Sequence, residues 1–403
     1  MLSRIFLTAL GLPTPVLSHP STEIGSAEEK ICIVEPCAGD GDSAPAILQA
    51  FQECGHNDGV TTHGTVIFKN ETYHIKTVMN TTGLSNLKVD HRGTLLWDQN
   101  IPYWLNSSLP VGYQNQSSAW LFGGHNIHWD GHGYGTLDGN GEVWYEFING
   151  TNNYPGRPHQ ITYTGVTDCV FENIRFVQSQ MWTMTLIHAR NVLLEKIYVN
   201  STDVRPVGFE FSSLNTDGAD TIYADNITFR GWTVDNGDDS ISIKANSTNI
   251  LIEDCDFHTG LGVAIGSIGQ YDNQYEIIEN VTARNIRSHN MRYGVASGGC
   301  DTSLFNIRNF TIASWTGTAT SDVIAELQCS GAAPCTGAVI EDMGGLWDTI
   351  WFPTAYLKIM LLVSGILHLS STSSDLPFLH NTYAEAFSNC TFNDLCDGPN
   401  TIL

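Results

Sequence analysis

The stretch Asn191–Val199 (Asn-Val-Leu-Leu-Glu-Lys-Ile-Tyr-Val) has the same pattern as Asn226–Val234 and Asn249–Phe257. Each copy carries apolar residues at two alternating positions and, after a bend, at two more. Two short strands that meet at a corner would turn these residues inward, because side chains alternate along a strand. The copies begin about 23 to 35 residues apart, which is typical of one coil of a solenoid. The pattern therefore predicts a repeating all-β structure.

Weaker copies of the repeat lie at 168–176 and 280–288, and the apolar spacing continues from Phe305 to Ile312. An Asn opens each strong copy, at Asn191, Asn226 and Asn249. We predict that these side chains bond to their neighbours at successive corners and have a structural role.

The segment before the repeats has the composition of an end cap. Pro45–Glu53 is predicted to be a helix, with Pro45 in the first turn, where its missing N–H has no cost. Such a helix would cover the first coil, since a solenoid needs a cap at its end. The β-rich stretches Gly64–Phe68 and Tyr73–Ile75 follow.

Two acidic sequences flank the middle repeat. Asn215-Thr216-Asp217-Gly218 precedes the Asn226 copy, and Asn236-Gly237-Asp238-Asp239 follows it. Because stacked strands lie about 4.8 Å apart, Asp217 should approach Asp238 and Asp239. Adjacent acids point to opposite sides of a regular strand, so we predict a bulge, for which Gly237 is suited. Surface turns of Gly, Asn and Asp are the alternative interpretation.

With a third segment, Gly260–Ser267, these sequences resemble the polygalacturonase family, glycoside hydrolase family 28. The resemblance runs from about residue 31 to 297 and again from 298 to 343. It implies a right-handed parallel β-helix that hydrolyses galacturonan with inversion. Three further stretches resemble exopolygalacturonases, at 112–117, 135–141 and 264–271.

The resemblance also implies the roles of individual residues. Asp238 would donate a proton to the leaving oxygen, and Asp217 and Asp239 would polarise the attacking water. Clustered acids suit this chemistry, because like charges raise at least one pKa and keep a proton available. The residues expected to bind substrate are Asn215, Lys244, His258 and Arg292.

The chain departs from the family pattern in two places. Leu261 stands where the family has a histidine, and His258 is the nearby substitute. The lysine expected shortly after Arg292 is missing. For His258, Lys244 and Arg292 the alternative role is that of a solvated surface side chain.

The formal net charge of −24 makes nucleic acid and anionic membranes poor partners, since both bind basic surfaces. Polygalacturonate and pectin oligosaccharides are themselves anionic, so a cleft for them needs local cations among only 18 Lys and Arg. We expect a monomer without cofactor or metal, and no Cys-x-x-Cys pair typical of zinc is present.

Residues 1–18 have the pattern of a secretory signal, with Arg4 before an apolar run. Ten cysteines predict a disulfide framework, with Cys329–Cys335 and either Cys32 or Cys37 with Cys54 as plausible bridges. Eleven sequons also favour a secreted, extracellular glycoprotein, at Asn70, Asn80, Asn106, Asn115, Asn149, Asn200, Asn226, Asn246, Asn280, Asn309 and Asn389.

We divide the remaining chain into a β-helix over 19–343, an anomalous segment over 344–380 and a C-terminal cap over 381–403. Coils are expected to be missing near 297–298, where the sequence leaves the family pattern. An apolar run, Leu357–Leu369, lacks β-helix spacing and is too short to span a bilayer. Retained intron sequence and a genuine terminal cap are the two interpretations of 344–380.

Together with the secretory features, the resemblance implies a secreted exopolygalacturonase, also called galacturan 1,4-alpha-galacturonidase. The alternatives are a rhamnogalacturonan hydrolase, an endo-acting polygalacturonan hydrolase, a pectate lyase of the same fold, and a catalytically impaired β-helix that only binds pectin.

Overall fold

The computed structural model describes residues 28–203, 213–269, 271, 274–292, 295–299, 305–319, 323–328, 335–344, 356–360 and 368–370. The predicted signal at 1–18, the predicted cap at 381–403 and the sequon at Asn389 lie outside these residues.

The described residues form three helices: α1 (Ala44–Cys54), α2 (Ile101–Ser107) and α3 (Glu142–Ile148). None of them is long and apolar enough to cross a membrane. The strands up to α3 are β1 (Glu28–Val34), β2 (Thr62–Phe68), β3 (Thr72–Ile75), β4 (Met79–His91), β5 (Thr94–Trp97), β6 (Leu109–Pro110), β7 (Ser117–Ser118), β8 (Trp120–Asp130) and β9 (Thr136–Asp138).

The central strands are β10 (Pro158–His159), β11 (Ile161–Thr164), β12 (Thr167–Glu172), β13 (Arg175–Val177), β14 (Met184–Ile187), β15 (Arg190–Glu195), β16 (Tyr198–Asn200), β17 (Asp220–Ile222), β18 (Asp225–Arg230), β19 (Thr233–Asp235), β20 (Asp239–Ile243), β21 (Ser247–Glu253), β22 (Asp256–His258) and β23 (Gly262–Ile268). The last strands are β24 (Glu276–Met291), β25 (Val295–Gly299), β26 (Phe305–Ala319), β27 (Val323–Gln328), β28 (Thr336–Gly344), β29 (Tyr356–Met360) and β30 (His368–Ser370).

Twenty-seven of these strands pair in parallel around one axis, each with the strand one coil away. The chain is a right-handed parallel β-helix, which confirms the predicted fold class. Three ladders run along it. Face A includes β12, β15, β18, β21 and β24; face B includes β13, β16, β19 and β22; and face C includes β11, β14, β17, β20 and β23. A separate small sheet joins β6, β7 and β10.

The apolar positions of the repeat become stacked rows in the core. On face A, Leu194 pairs with Phe229, which pairs with Ile252, and all three are fully buried. A second row joins Val192, Ile227 and Ile250. The repeat therefore fixes the register, since a slip by one residue would turn every core side chain toward solvent.

The predicted role of the corner asparagines is confirmed. Asn226 Nδ2 donates to Asn191 Oδ1 at 2.9 Å, and Asn280 Nδ2 donates to Asn249 Oδ1 at 3.0 Å. Each of these asparagines has a left-handed backbone, with φ of 53° to 57°. Asn adopts this conformation more readily than other residues with a Cβ, which explains its recurrence at the bend.

Helix α1 covers the first coil, as predicted, and starts one residue earlier and ends one residue later than expected. Its inner face buries Ile47, Ala50 and Phe51, and Phe51 packs edge-on against Trp120 and Phe122. The bridge Cys32–Cys54 ties this helix to β1.

The expectation that the cysteines form a disulfide framework is only partly right. Cys335 is disulfide-bonded, whereas Cys329 lies outside the described residues. Cys37, Cys169 and Cys255 are free thiols. Cys169 and Cys255 are buried in the core, where a cysteine packs as a small apolar side chain.

The solenoid continues across the Ser297–Gly298 junction. Strand β25 pairs with β23 before it and β27 after it, and β24 pairs with β26. Two pieces of the anomalous segment, β29 and β30, pair with β27 and β28. The interpretations of missing coils and of an artefact in 344–380 stay predictions.

Candidate active site

The acidic residues come together where face B passes into face C. Asp217 precedes β17. One coil later, Asp238 immediately precedes β20 and Asp239 is the first residue of that strand. One oxygen of each carboxyl lies within 4.8 Å of the other two, so the predicted meeting of three acids is confirmed. The register shifts between Asp239 and Ile241, which is the bulge that adjacent acids require.

A hydrogen-bonded turn fixes the backbone at the acids. Asn236 Nδ2 donates to the carbonyls of Thr216 and Asp239, each at 2.9 Å. The Gly237 N–H donates to Thr216 Oγ1 at 3.0 Å. A Cβ at Gly237 would collide with the Ser213 backbone oxygen, so close packing accounts for this glycine.

The next coil along the axis packs closely against this turn. Gly260 has φ of +77°, and a Cβ there would collide with the Asp238 carbonyl oxygen. Leu261, which stands where the family has a histidine, is buried, and its N–H donates to the same oxygen at 2.8 Å. The position thus keeps a backbone role without the imidazole.

Asp238 is the acid that the backbone orients most fully. Its Oδ2 accepts from the Asn215 N–H at 3.0 Å, and its Oδ1 accepts from the Asp239 N–H at 2.9 Å. Burial raises its pKa, while these two bonds and the charges of Lys244 and Arg157 lower it, and the net shift is upward.

The pKa values of Asp217 and Asp239 shift further. Burial, followed by the charges of neighbouring carboxylates, raises both well above the ordinary value. The cluster therefore retains a proton at pH values where an exposed aspartate would be ionised. Because the acids are close together, this proton belongs to the group as a whole.

Two further residues of the site are Asp220 and Lys244. Asp220 is fully buried, and burial raises its pKa to about 7 although Lys244 lowers it. Lys244 Nζ lies 3.3 Å from Asp220 Oδ1 and 4.8 Å from the centre of the Trp182 indole ring. Burial lowers the pKa of Lys244, but the surrounding carboxylates raise it more. Lys244 is thus a buried cation within the acidic site.

Arg157 and His159 are two buried residues near the acids that the sequence did not predict as part of the site. Arg157 is fully buried, its Nε donates to the Gln180 carbonyl, and neither terminal amino group has a hydrogen-bond partner. Its charge acts on Asp238 and Asp217. His159 stacks on Trp182 with ring centres 4.4 Å apart, and burial lowers its pKa to about 3, so it is neutral. A sequence signal existed for Asp220, which follows Asp217 by three residues in the same acidic stretch, but none for Arg157.

The four residues predicted to bind substrate do not all lie beside the acids. Asn215 contacts Asp238 through its N–H, and the Arg292 N–H donates to the Gly260 carbonyl at 2.9 Å, one coil beyond. His258 lies on face B beside Asp256 and His289. The structure joins Asn215 and Lys244 to the acids, and the roles of all four toward substrate stay predictions.

This arrangement suits acid–base hydrolysis of a glycosidic bond. Such a reaction needs a carboxylic acid to protonate the leaving oxygen and a carboxylate on the opposite side of the reaction. A group of acids with raised and unequal pKa values, placed beside a buried cation, supplies both forms at one pH.

Comparisons with known proteins agree with this chemistry. The family model for glycosyl hydrolases family 28 matches residues 53–297. The chain is 42% identical over 395 residues to the alpha-L-rhamnosidase rgxB of Aspergillus niger, covering 85% of this chain and 89% of that protein. An Aspergillus niger protein with the provisional name galacturan 1,4-alpha-galacturonidase A is 40% identical over 262 residues, 64% of this chain. The chain spans only 58% of that relative's length.

A solved structure shows the same fold. The endo-xylogalacturonan hydrolase from Aspergillus tubingensis superposes with a TM-score of 0.67 at 18% identity, over 88% of this chain and 100% of that chain. At this identity the likeness concerns the fold alone. Since the family model matches more than half of the residues, the chain belongs to glycosyl hydrolase family 28 and is a glycoside hydrolase.

Proposed function

We propose that the protein releases terminal galacturonic acid from the non-reducing end of α-1,4-galacturonan, as a galacturan 1,4-alpha-galacturonidase. The observation that carries this proposal is the buried cation Lys244 within the group of acids. A substrate carboxylate entering an acidic cleft needs such a cation nearby. The relative with the galacturonidase name supports the same substrate.

Within this proposal Asp238 protonates the leaving oxygen, since its two backbone hydrogen bonds hold it in one orientation. Asp217 and Asp239 hold the attacking water.

The closest oxygens of the three acids lie within 4.8 Å, which is shorter than the roughly 6.5–9.5 Å typical of inverting enzymes. Inversion therefore needs a direct measurement, by proton NMR of the anomer that is released first. Early β-galacturonic acid supports inversion, and early α-anomer contradicts it.

A second candidate reaction is the release of a terminal α-L-rhamnose. Lys244 is already paired with Asp220, and rhamnose carries no carboxylate that would need a cation. The rhamnosidase relative also covers more of this chain than the galacturonidase relative does.

Initial products from two substrates separate these functions. The purified chain is incubated with polygalacturonate and, separately, with p-nitrophenyl α-L-rhamnopyranoside. Galacturonic acid as the main early product supports the proposal, whereas activity on the rhamnoside alone supports the second candidate. A ladder of oligomers indicates endo attack, and unsaturated products indicate a lyase. Retention on pectate without turnover of either substrate indicates a binding protein.

We also propose that the protein is secreted and glycosylated. Eight sequon asparagines are exposed: Asn70, Asn80, Asn106, Asn115, Asn149, Asn226, Asn280 and Asn309. Exposure is what an attached glycan requires. Secretion from a eukaryotic host, followed by a mass decrease on deglycosylation, would support the proposal. Retention of the chain inside the cell would contradict it.

A further inference from the structure

Two histidines and an aspartate converge on face B, away from the contacts of the acidic group. Asp256 and His258 lie two residues apart on β22, so their side chains share one side of the strand. His289 is the register partner of His258 on β24. The imidazole rings stack with centres 4.4 Å apart and planes 11° apart.

We propose that Asp256, His258 and His289 form a binding site for a divalent transition metal ion, with Zn²⁺ as the best match. Two imidazole nitrogens and one carboxylate oxygen are a common ligand set for zinc, with a fourth position open to water. The side chains are 25 to 46% exposed, so an ion can enter from solvent. Among the described residues this is the one group of its kind that contains two imidazoles.

The three ligand atoms lie close together, and the carboxylate oxygen among them has no hydrogen-bond partner. His289 Nε2 and His258 Nε2 lie 2.7 and 3.4 Å from Asp256 Oδ1. Yet this oxygen, which is shielded from solvent, accepts no hydrogen bond. In a tetrahedral zinc site with bonds of 2.0 to 2.1 Å, ligand atoms are separated by about 3.3 Å. Side-chain rotations that lengthen the shorter distance and tilt the two stacked imidazole rings would bring the three atoms to this geometry.

A neighbouring arginine, Arg287, orients the Asp256 carboxylate. Arg287 Nη2 donates to Asp256 Oδ2 at 3.1 Å and leaves Oδ1 for the ion. A partner of this kind, bonded to the oxygen that does not hold the metal, orients the ligand.

A bound ion would link two successive coils. His258 belongs to the coil of β22, and His289 belongs to the next. The expectation from the sequence was that no metal is present, because no cysteine pair has zinc spacing. The register of a parallel ladder, which sequence spacing does not show, brings the two histidines together.

The test is direct titration of the full chain with Zn²⁺ after removal of metals with a chelator. We expect one tight equivalent by calorimetry and a rise in melting temperature, since an ion that binds only the folded state stabilises it. His258→Gln and His289→Gln should each weaken binding by about tenfold or more. Circular dichroism checks that the variants are folded.

His132→Gln is the matched control. Its imidazole lies 2.7 Å from Asp90 and 3.4 Å from Asp130. Among the described residues it belongs to no group of three side chains that could hold an ion, so its loss should leave zinc binding unchanged. Equal zinc binding by the parent chain, His258→Gln and His289→Gln would overturn the proposal. Loss of the equivalent in Asp238→Asn instead would place the ion among the acids and overturn it as well.

Discussion

Asp238 is held by two backbone N–H groups, and burial raises its pKa. We predict that Asp238→Asn lowers kcat by about 10² to 10⁴, because an amide cannot donate the proton. Initial rates on the substrate that the chain turns over measure this loss. Asp254→Asn is the control, since Asp254 is exposed and has a left-handed backbone that Asn tolerates. A larger loss in Asp239→Asn than in Asp238→Asn would exchange their roles.

Lys244 places a positive charge beside the acids. Its ammonium lowers the pKa values of Asp217, Asp220, Asp238 and Asp239. Removing this charge in Lys244→Gln should raise those pKa values, so the acidic limb of the kcat/KM profile should move to higher pH. The exposed Lys88→Gln serves as the control. An unchanged acidic limb would mean that Lys244 does not act on the catalytic acids.

Single residues also show the limit of sequence reasoning. Asp217, Asp238 and Asp239 could be predicted to meet, because the repeat placed them on neighbouring coils. Arg157 could not, because it reaches Gln180 through a loop contact that follows no repeat. The burial of Lys244 was also not predictable, since it depends on Trp182 from another loop.

At the scale of the elements, the asparagine corners can be tested separately from the strands. Asn191 donates to Asp168 at 2.8 Å, accepts from Asn226 at 2.9 Å and has φ of 53°. Asn191→Gly removes the two bonds and should cost about 1 to 2 kcal/mol of unfolding free energy. Asn191→Ala adds the left-handed strain and should cost about 1 to 2 kcal/mol more.

Denaturant unfolding of the two variants measures the difference. Equal stability of Asn191→Gly and Asn191→Ala would show that the backbone conformation contributes nothing there. The corners were predictable as hydrogen-bonded positions because Asn recurs at the same place in each copy. The boundaries of β24 and β26 were not, because each of these strands turns the corner and runs along two faces.

For the whole molecule, the buried acids predict how stability depends on pH. The folded pKa of Asp220 is about 7, against 3.8 for the exposed side chain. Between these values the folded chain holds a proton that the unfolded chain has released. Stability present below about pH 4 is therefore lost as the pH rises toward 7, at roughly 1.4 kcal/mol per pH unit for one proton.

Other carboxylates act in the opposite sense at lower pH. Glu253 accepts from Arg230 at 2.8 Å and from Arg284, and these bonds lower its pKa. Its contribution is lost only as the pH falls through that lowered value. We predict the highest melting temperature at about pH 4, with a flatter decline above that pH in Asp220→Asn than in the parent chain. An equally steep decline in Asp220→Asn would remove Asp220 from the explanation.

The rate at which a reagent labels each of the two buried thiols reports how often the surrounding coils open. Cys169 lies in the coil of β12, before the acids along the axis, and Cys255 lies between β21 and β22, after Asp239. Burial raises the pKa of Cys169 to about 11 and that of Cys255 to about 12, so neither reacts while its coil is closed. Exposed Cys37 marks the rate of an unprotected thiol. Labelling with an alkylating reagent, followed by peptide mass mapping, measures the rate at each cysteine. Unequal labelling of Cys169 and Cys255 would show which side of the acidic site unfolds locally first. Equal labelling would mean that the central coils open as one unit.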